Sequence, residues 1–502
     1  MTESHEKTLI AGGAVLTVDD DRRVLDPGAI VTEGDRIVAV DDRDTIIEEH
    51  TVDRTISLEG SVILPGLVDS HGHAGHALTK GLGVDGEGGW MNAVQDVYFH
   101  ASTEEFWEVE SYLAALEHLE MGVTTSLSYP GSSSRVDDPK YAIAAATGYE
   151  ELGLRHVVNI GPPNPPYPNT YTDVSTGETV EVDLDGAIET TEAVIDALDG
   201  NADGRLSVSV GPSALVPEVV QDGETRLAGI GAQGSIEPDS LEASDRSVEQ
   251  LEKVLGLARE KDVNIQAHAY GGQVRAAVDS VPEILGPELS LAHCAGLTHD
   301  EVDIMAEHDV SASHGPLTHA YASARFPLVE ALDAGVNVAV STDGAAPDRS
   351  FDLLSQGRIA AQLQRAHFND TALLPHGKIL EMMTIDAARA LGMADEVGSL
   401  EAGKKADIIA VDLDTAKLRP RTALAHRVVH YASGNDTEFV MTDGNVLVRD
   451  REFEGPVADT LPSETGESVL TRADEVARET FERAGLSDAL EPHPNAWNAV
   501  RY

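Results

Sequence analysis

The chain has one cysteine in 502 residues, Cys294, which excludes an internal disulfide and any cysteine-rich metal cluster. Aromatic residues are only 4% of it, so no stacking signature announces a substrate. Positive charge is scarce: 35 Lys+Arg stand against 87 Asp+Glu, a net charge of −52. So acidic a surface repels nucleic acid and anionic membrane and argues against both as partners. No apolar run reaches the roughly 18 residues of a membrane span. Residues 1–7 are polar where a signal peptide needs a basic start and an apolar core. A soluble, cytoplasmic protein is expected. The acids are spread over the whole chain and Lys is scarce, which reads as the solvated surface of a halophilic protein rather than as a lure for a cationic substrate.

With 41% hydrophobic residues, the length suffices for one large enzyme domain plus a smaller one. Residues 8–41 read as short strands with turns, TLIAGGAVLTV and then GAIVTEGDRIVAV, and their missing partners appear far downstream at 405–411, 438–441 and 445–449, the last two joined by an Asp443-Gly444 turn. The economical reading is a small β-sandwich built from both chain ends, residues 1–61 and 398–455, with a large domain, 62–397, inserted. Residues 456–502 form a tail whose helical periodicity over 467–484 stops at Gly485.

Inside the large domain, apolar β-rich runs recur at 62–68, 123–129, 156–160, 206–210, 263–269, 289–292, 310–313 and 336–340, most separated by helical patterns such as 106–121 and 247–260. Uniformly buried strands of this kind imply a parallel sheet closed as an α/β (β/α)8 TIM-like barrel. The doubly wound alternative lacks a Gly-x-Gly-x-x-Gly turn after an early strand. Three long irregular segments, 74–90, 161–182 and 212–245, all follow carboxyl ends of strands, the face where barrel enzymes bind substrate.

The same face collects the chemistry. The run VILPGLVDSHGH ends in His71 and His73, and two residues two apart in a strand point the same way. His268 closes the fifth run, His293 the sixth and Asp343 the eighth. Each has a plain structural explanation alone, but independent capping gives no reason for imidazoles and a carboxylate to converge at one mouth. Such donors suit one divalent ion, zinc first and ferrous iron second. Bound to it, water has a pKa lowered from 15.7 to around 7, so hydroxide is at hand. Asp343 is placed to bind the ion and pass the water proton to the leaving group, and His293 to orient the water or the oxyanion.

PGLVDSHGH, the His268 strand, SLAHC, VSTDGAA and GSLEAGKKADIIAVD, in this order, resemble the metal-dependent amidohydrolase superfamily, in the branch of S-adenosylhomocysteine and methylthioadenosine deaminases and triazine chlorohydrolases. The resemblance spans residues 8–451. It implies one zinc or iron held by His71, His73, His268 and Asp343, with His293 behind them, a composite β domain and a homodimer. In those deaminases a Glu stands three residues after the fifth-strand histidine; here that position is Gly271, so the usual acid is gone. His76 and His314, then Tyr270 and Gln273, are the candidates to contact substrate in its place. The stretch HAYGGQVRAAV also resembles prolidase-like dipeptidases, whose second metal is bridged by a modified lysine, but RLSVSVGPSA contains no Lys. The expectation is a hydrolase of a small molecule, breaking a carbon–nitrogen bond other than a peptide bond in an amide, amidine or heterocycle. The alternatives are an amino- or chlorohydrolase of a heterocycle with another proton donor, a dipeptidase, and last a barrel without catalysis.

Overall fold

The computed structural model describes residues 6–82, 89–228, 241–321, 325–460 and 468–490. Eight parallel strands follow one another around the barrel: β1 (Leu67–Asp69), β2 (Val123–Pro130), β3 (Arg155–Ile160), β4 (Leu206–Val210), β5 (Ile265–Tyr270), β6 (Leu289–Ala295), β7 (Ser311–His314) and β8 (Val338–Val340). No ladder joins β8 to β1. The seam is closed instead by Thr342, whose N–H donates to Asp69 Oδ1 at 3.0 Å, and by the Asp343 N–H, which donates to the His71 carbonyl at 3.0 Å. The closure thus runs through the site's own residues.

Helices cover the outside. Glu104–Glu120 starts at Thr103, whose side chain accepts the Phe106 N–H, and Asp245–Lys261 starts at Ser244, which caps Ser247 in the same way. The tail helix Val469–Arg483 packs on the outside of the barrel, where Arg472 pairs with Glu105 and Arg483 Nε donates to the Ala101 carbonyl at 3.0 Å.

The chain ends build two sheets. One orders Arg36–Asp42, Gly28–Glu33, Lys7–Ala11 and Arg54–Ser57; the other runs from Glu452–Phe453 through Asn445–Arg449, Thr437–Thr442, Ile408–Asp412, Ser61–Pro65 and Ala14–Leu16 to Val24–Leu25. Ile10, Ile30 and Ile56 of the first share one buried cluster with Ile63, Ile408 and Phe439 of the second, which makes the pair a sandwich.

Three readings of the sequence change here. The run 8–18 is two strands in different sheets, Lys7–Ala11 and Ala14–Leu16. The run 62–68, expected as one barrel strand, is divided: Ser61–Pro65 lies in the seven-stranded sheet between Ile408–Asp412 and Ala14–Leu16, and only Leu67–Asp69 enters the barrel. Gly66 is the joint, and a Cβ there would lie 2.1 Å from Thr124 Oγ1. Gly66→Ala is expected to destabilise the protein by about 1–3 kcal/mol in urea unfolding, with partial recovery in the Gly66→Ala/Thr124→Ala double variant. The segments 161–182 and 212–245 are less irregular than their composition suggests: Asn169–Asp173 pairs with Glu178–Val182, and Glu218–Gln221 with Glu224–Leu227 and Glu242–Ala243. These hairpins are short and too polar to show period-2 apolar alternation. Residues 83–88 and 229–240, within two of the long segments, and the final 491–502 lie outside the described residues.

Candidate metal centre and active site

His71, His73, His268, His293 and Asp343 all lie at the carboxyl mouth of the barrel, and all are buried, none more than 6% exposed. Neither member of the His-x-His pair belongs to β1, which ends at Asp69. His71 sits in an irregular turn and His73 opens the two-residue strand His73–Ala74 beside β2. The two side chains converge because the chain turns, not because a strand alternates. Their rings stand 5.1 Å apart, nearly perpendicular, and His268 lies 4.9 Å from His71 and 5.3 Å from His73.

Each imidazole is fixed by its Nδ1. That of His71 is 2.8 Å from Gln266 Oε1, that of His73 2.8 Å from the Gly131 carbonyl, and that of His268 2.8 Å from the Ser213 carbonyl. An acceptor oxygen at Nδ1 sets the tautomer, with the proton there and the Nε2 lone pair turned inward. The inward atoms meet: Asp343 Oδ1 is 3.3 Å from His71 Nε2 and 3.2 Å from His73 Nε2, and the Nε2 atoms of His268 and His73 are 3.4 Å apart. Two such lone pairs at that distance repel unless a cation lies between them. Among the described residues, His71 Nε2 also has no hydrogen-bond partner. Donor atoms of His71, His73 and His268, and those of His71, His293 and Asp343, form two groups each within 4.8 Å. The set therefore fits one divalent ion.

Gln266 follows from β-strand geometry, since it is two residues before His268 and faces the same interior. Its Nε2 donates to the Ser70 carbonyl and to Ser290 Oγ, both at 2.8 Å, so the amide cannot turn away from His71. Gln266→Leu is expected to weaken zinc binding about 10–100-fold, read by competition with a chromophoric chelator, while the fold is kept.

His293 and Cys294 have left-handed backbone, φ 67° and 53°, where the β5–β6 register slips by a bulge. The bulge re-aims His293 toward Asp343, with Nε2 3.9 Å from Oδ1, and Tyr270 stacks on its ring at 5.7 Å. Asp343 is also left-handed, φ 58°. Its second oxygen is held from behind: Thr318 Oγ1 donates to Oδ2 at 2.6 Å and Arg349 Nη1 donates to it at 3.1 Å. Burial would raise the Asp343 carboxyl, but Arg349, then His293, His71 and His73, hold it well below the usual carboxylate range. Burial pushes His73 down, and His268 and His293 well down, so these rings are neutral, as ligands and hydrogen-bonding groups at such a centre must be.

Of the substrate-side candidates, His76 is fully buried, stacked on His73 at 4.9 Å and edge-on to Trp90 at 4.9 Å, with no hydrogen-bond partner for either ring nitrogen among the described residues. Gly344 makes room for it: a Cβ there would lie 2.2 Å from His76 Nδ1. His314 ends β7, buried and likewise without a hydrogen-bond partner among the described residues. Gln273 is structural, its Oε1 accepting the Val216 N–H at 3.4 Å. Gly271 donates to the Ala295 carbonyl at 3.0 Å, and its position offers no side chain. Arg349, Thr318 and His319 carry no recognisable signal in the sequence, because the loop and short helix that bring them to Asp343 have no regular period.

Residues 62–447 match the model of the Amidohydrolase family. The chain belongs to this family. A 5′-deoxyadenosine deaminase of Methanobrevibacter smithii is 27% identical over 442 residues, covering 85% of this chain and 89% of the relative. An S-triazine hydrolase of Gordonia rubripertincta is 29% identical over 509 residues, covering 95% and 97%. Among solved structures, a zinc-bound adenosine deaminase from Xanthomonas campestris superposes with a TM-score of 0.74 at 23% identity, over 95% of this chain and 98% of the other. The chain is thus an amidohydrolase-type enzyme with the family's barrel, and among the described residues no helix is long and apolar enough to cross a membrane.

Proposed function

We propose that this amidohydrolase is a zinc-dependent hydrolase that breaks a carbon–nitrogen bond other than a peptide bond in a small heterocycle, amide or amidine. The observation that carries the reading is the clustering of His71, His73 and His268 donor atoms at the barrel mouth, with Asp343 Oδ1 3.3 and 3.2 Å from the Nε2 atoms of His71 and His73. His71, His73, His268 and Asp343 would hold the ion, which supplies a Lewis acid and lowers the pKa of a water to around 7. Ferrous iron suits the same donors.

The side chains supply the rest. Arg349 and Thr318 fix Asp343 Oδ2, leaving Oδ1 to face the reacting centre and take a proton from the attacking water. His293, steadied by Tyr270, stands where it donates to an oxygen that gains negative charge at the attacked carbon. The adduct expels an amine, or halide, and Asp343 returns the proton to an amine. Gly271 favours a substrate whose ring needs no proton from a strand-5 carboxyl. The acid-rich surface supports work in high salt, and a cytoplasmic homodimer completes the reading, the latter resting on the family resemblance.

The test is a screen of amides, amidines, aminopyrimidines, purines and halogenated triazines in molar salt, with ammonia and halide both monitored. Turnover that disappears on chelation and returns with zinc is expected. A chain that holds about one zinc and turns over peptides alone would overturn the reading.

A further inference from the structure

Strand β7 ends at His314, and the short helix Pro316–Tyr321 carries His319 back over the site. The His319 ring lies 4.8 Å from His314 and 5.9 Å from His293. Both ring nitrogens of His314 and both of His319 are closed off from solvent, and none has a hydrogen-bond partner among the described residues. A covered polar atom left unsatisfied costs about 1–3 kcal/mol, and native folds rarely leave several together unless something else satisfies them. These four lie side by side, next to the metal-ligand cluster and on the substrate face of the barrel.

The wall is uncharged. Burial pushes His319 down to about 4 and His314 well below its ordinary range, so both are neutral imidazoles. Each then offers one N–H donor and one nitrogen acceptor, and tautomer choice decides which atom plays which part. Asp343, the charged group that acts on His319, is already paired with Arg349. Phe326 backs His314 at 5.1 Å and closes its far side. A carboxylate or ammonium edge would find no counter-charge here, whereas a neutral edge with N–H and ring nitrogen adjacent would find both complements.

We propose that His314 and His319 form a recognition wall beside the metal-ligand cluster, gripping the uncharged, nitrogen-bearing edge of a heterocycle, with His319 the specificity-determining member. This rests on the hydrolase reading for its substrate but concerns binding alone.

The test uses full-length, zinc-loaded protein and 1,2,4-triazole, a small neutral heterocycle whose one nitrogen reaches zinc while another edge meets the wall. Calorimetric titration is expected to show binding to the wild type, at least about tenfold weaker binding to His319→Ala and to the bulkier His319→Leu, and recovery to within about threefold in His319→Gln, which keeps a donor and an acceptor. Acetate, a charged probe, is expected to bind all four proteins alike. Zinc content and melting temperature, measured alongside, identify any variant that fails to fold, and the Leu and Gln variants then decide. Equal triazole affinity in wild type and His319→Leu, or no triazole binding to the wild type, overturns the proposal. Triazole binding that depends on His319 in a protein without turnover on any substrate of the screen would remove the reaction and leave the wall.

Discussion

Asp343→Asn is expected to fold, to hold zinc weakly and to lose turnover by about 10³-fold or more. The substitution keeps volume and removes only charge and one acceptor, yet the site has no orientation that accepts it. Oδ2 receives Thr318 and Arg349, and Oδ1 faces His71 and His73 Nε2. Turned one way, the amide N–H₂ meets two donors; turned the other, it points into the metal position. Activity with the best substrate of the screen and zinc per chain after dialysis measure the result. Turnover within tenfold of wild type would show that Asp343 is a structural seam residue and not part of the chemistry.

Glu110→Gln is expected to stabilise the protein at pH 8 by about 2–3 kcal/mol and to change little at pH 4. Glu110 is fully buried in Glu104–Glu120, with Oε1 accepting the Ala77 N–H at 3.3 Å and, among the described residues, no hydrogen-bond partner for Oε2. Burial raises its carboxyl to about 7, against the downward pull of the Ala77 and Gly75 amides and of Lys80. The sign follows from the two states. Below about 4.5 the group is protonated in both folded and unfolded chains, and it costs nothing. Between about 4.5 and 7 the unfolded chain releases the proton while the folded chain keeps it, so stability falls as pH rises. Above 7 the loss is complete, and Gln, which has no charge to bury, escapes it while still accepting from Ala77. Urea midpoints of both proteins from pH 4 to pH 8 check it; parallel profiles would show that Glu110 is not held neutral by its surroundings.

Both residues show where sequence reasoning reaches and where it stops. Apolar runs of β-formers, each followed by a helical period, expose a barrel because burial on both faces leaves uniform runs. His71, His73, His268 and Asp343 were legible because every one closes such a run. The boundary at Gly66 was hidden, since apolar residues on both sides of it are buried in two different bodies and hydropathy cannot tell one core from another. Gln266 was within reach of the alternation rule. Arg349 and His319 were not, because a turn of six residues and a six-residue helix carry no period, and only the fold brings them to the carboxylate. Glu110 reads as an ordinary helix-surface acid amid neighbouring acids; its burial comes from the loop laid over it, which no local pattern records.

The joint at Gly66 also bears on how this molecule can be divided. An inner strand of the sandwich becomes the first stave of the barrel after a single residue, and that residue's N–H is itself tied to the Asp407 carbonyl at 2.9 Å. The sandwich and the barrel therefore share one continuous stretch of backbone, residues 61–69, with Gly66 as its joint. For the same reason a barrel excised at this point would begin with a torn sheet edge and would be expected to aggregate rather than fold.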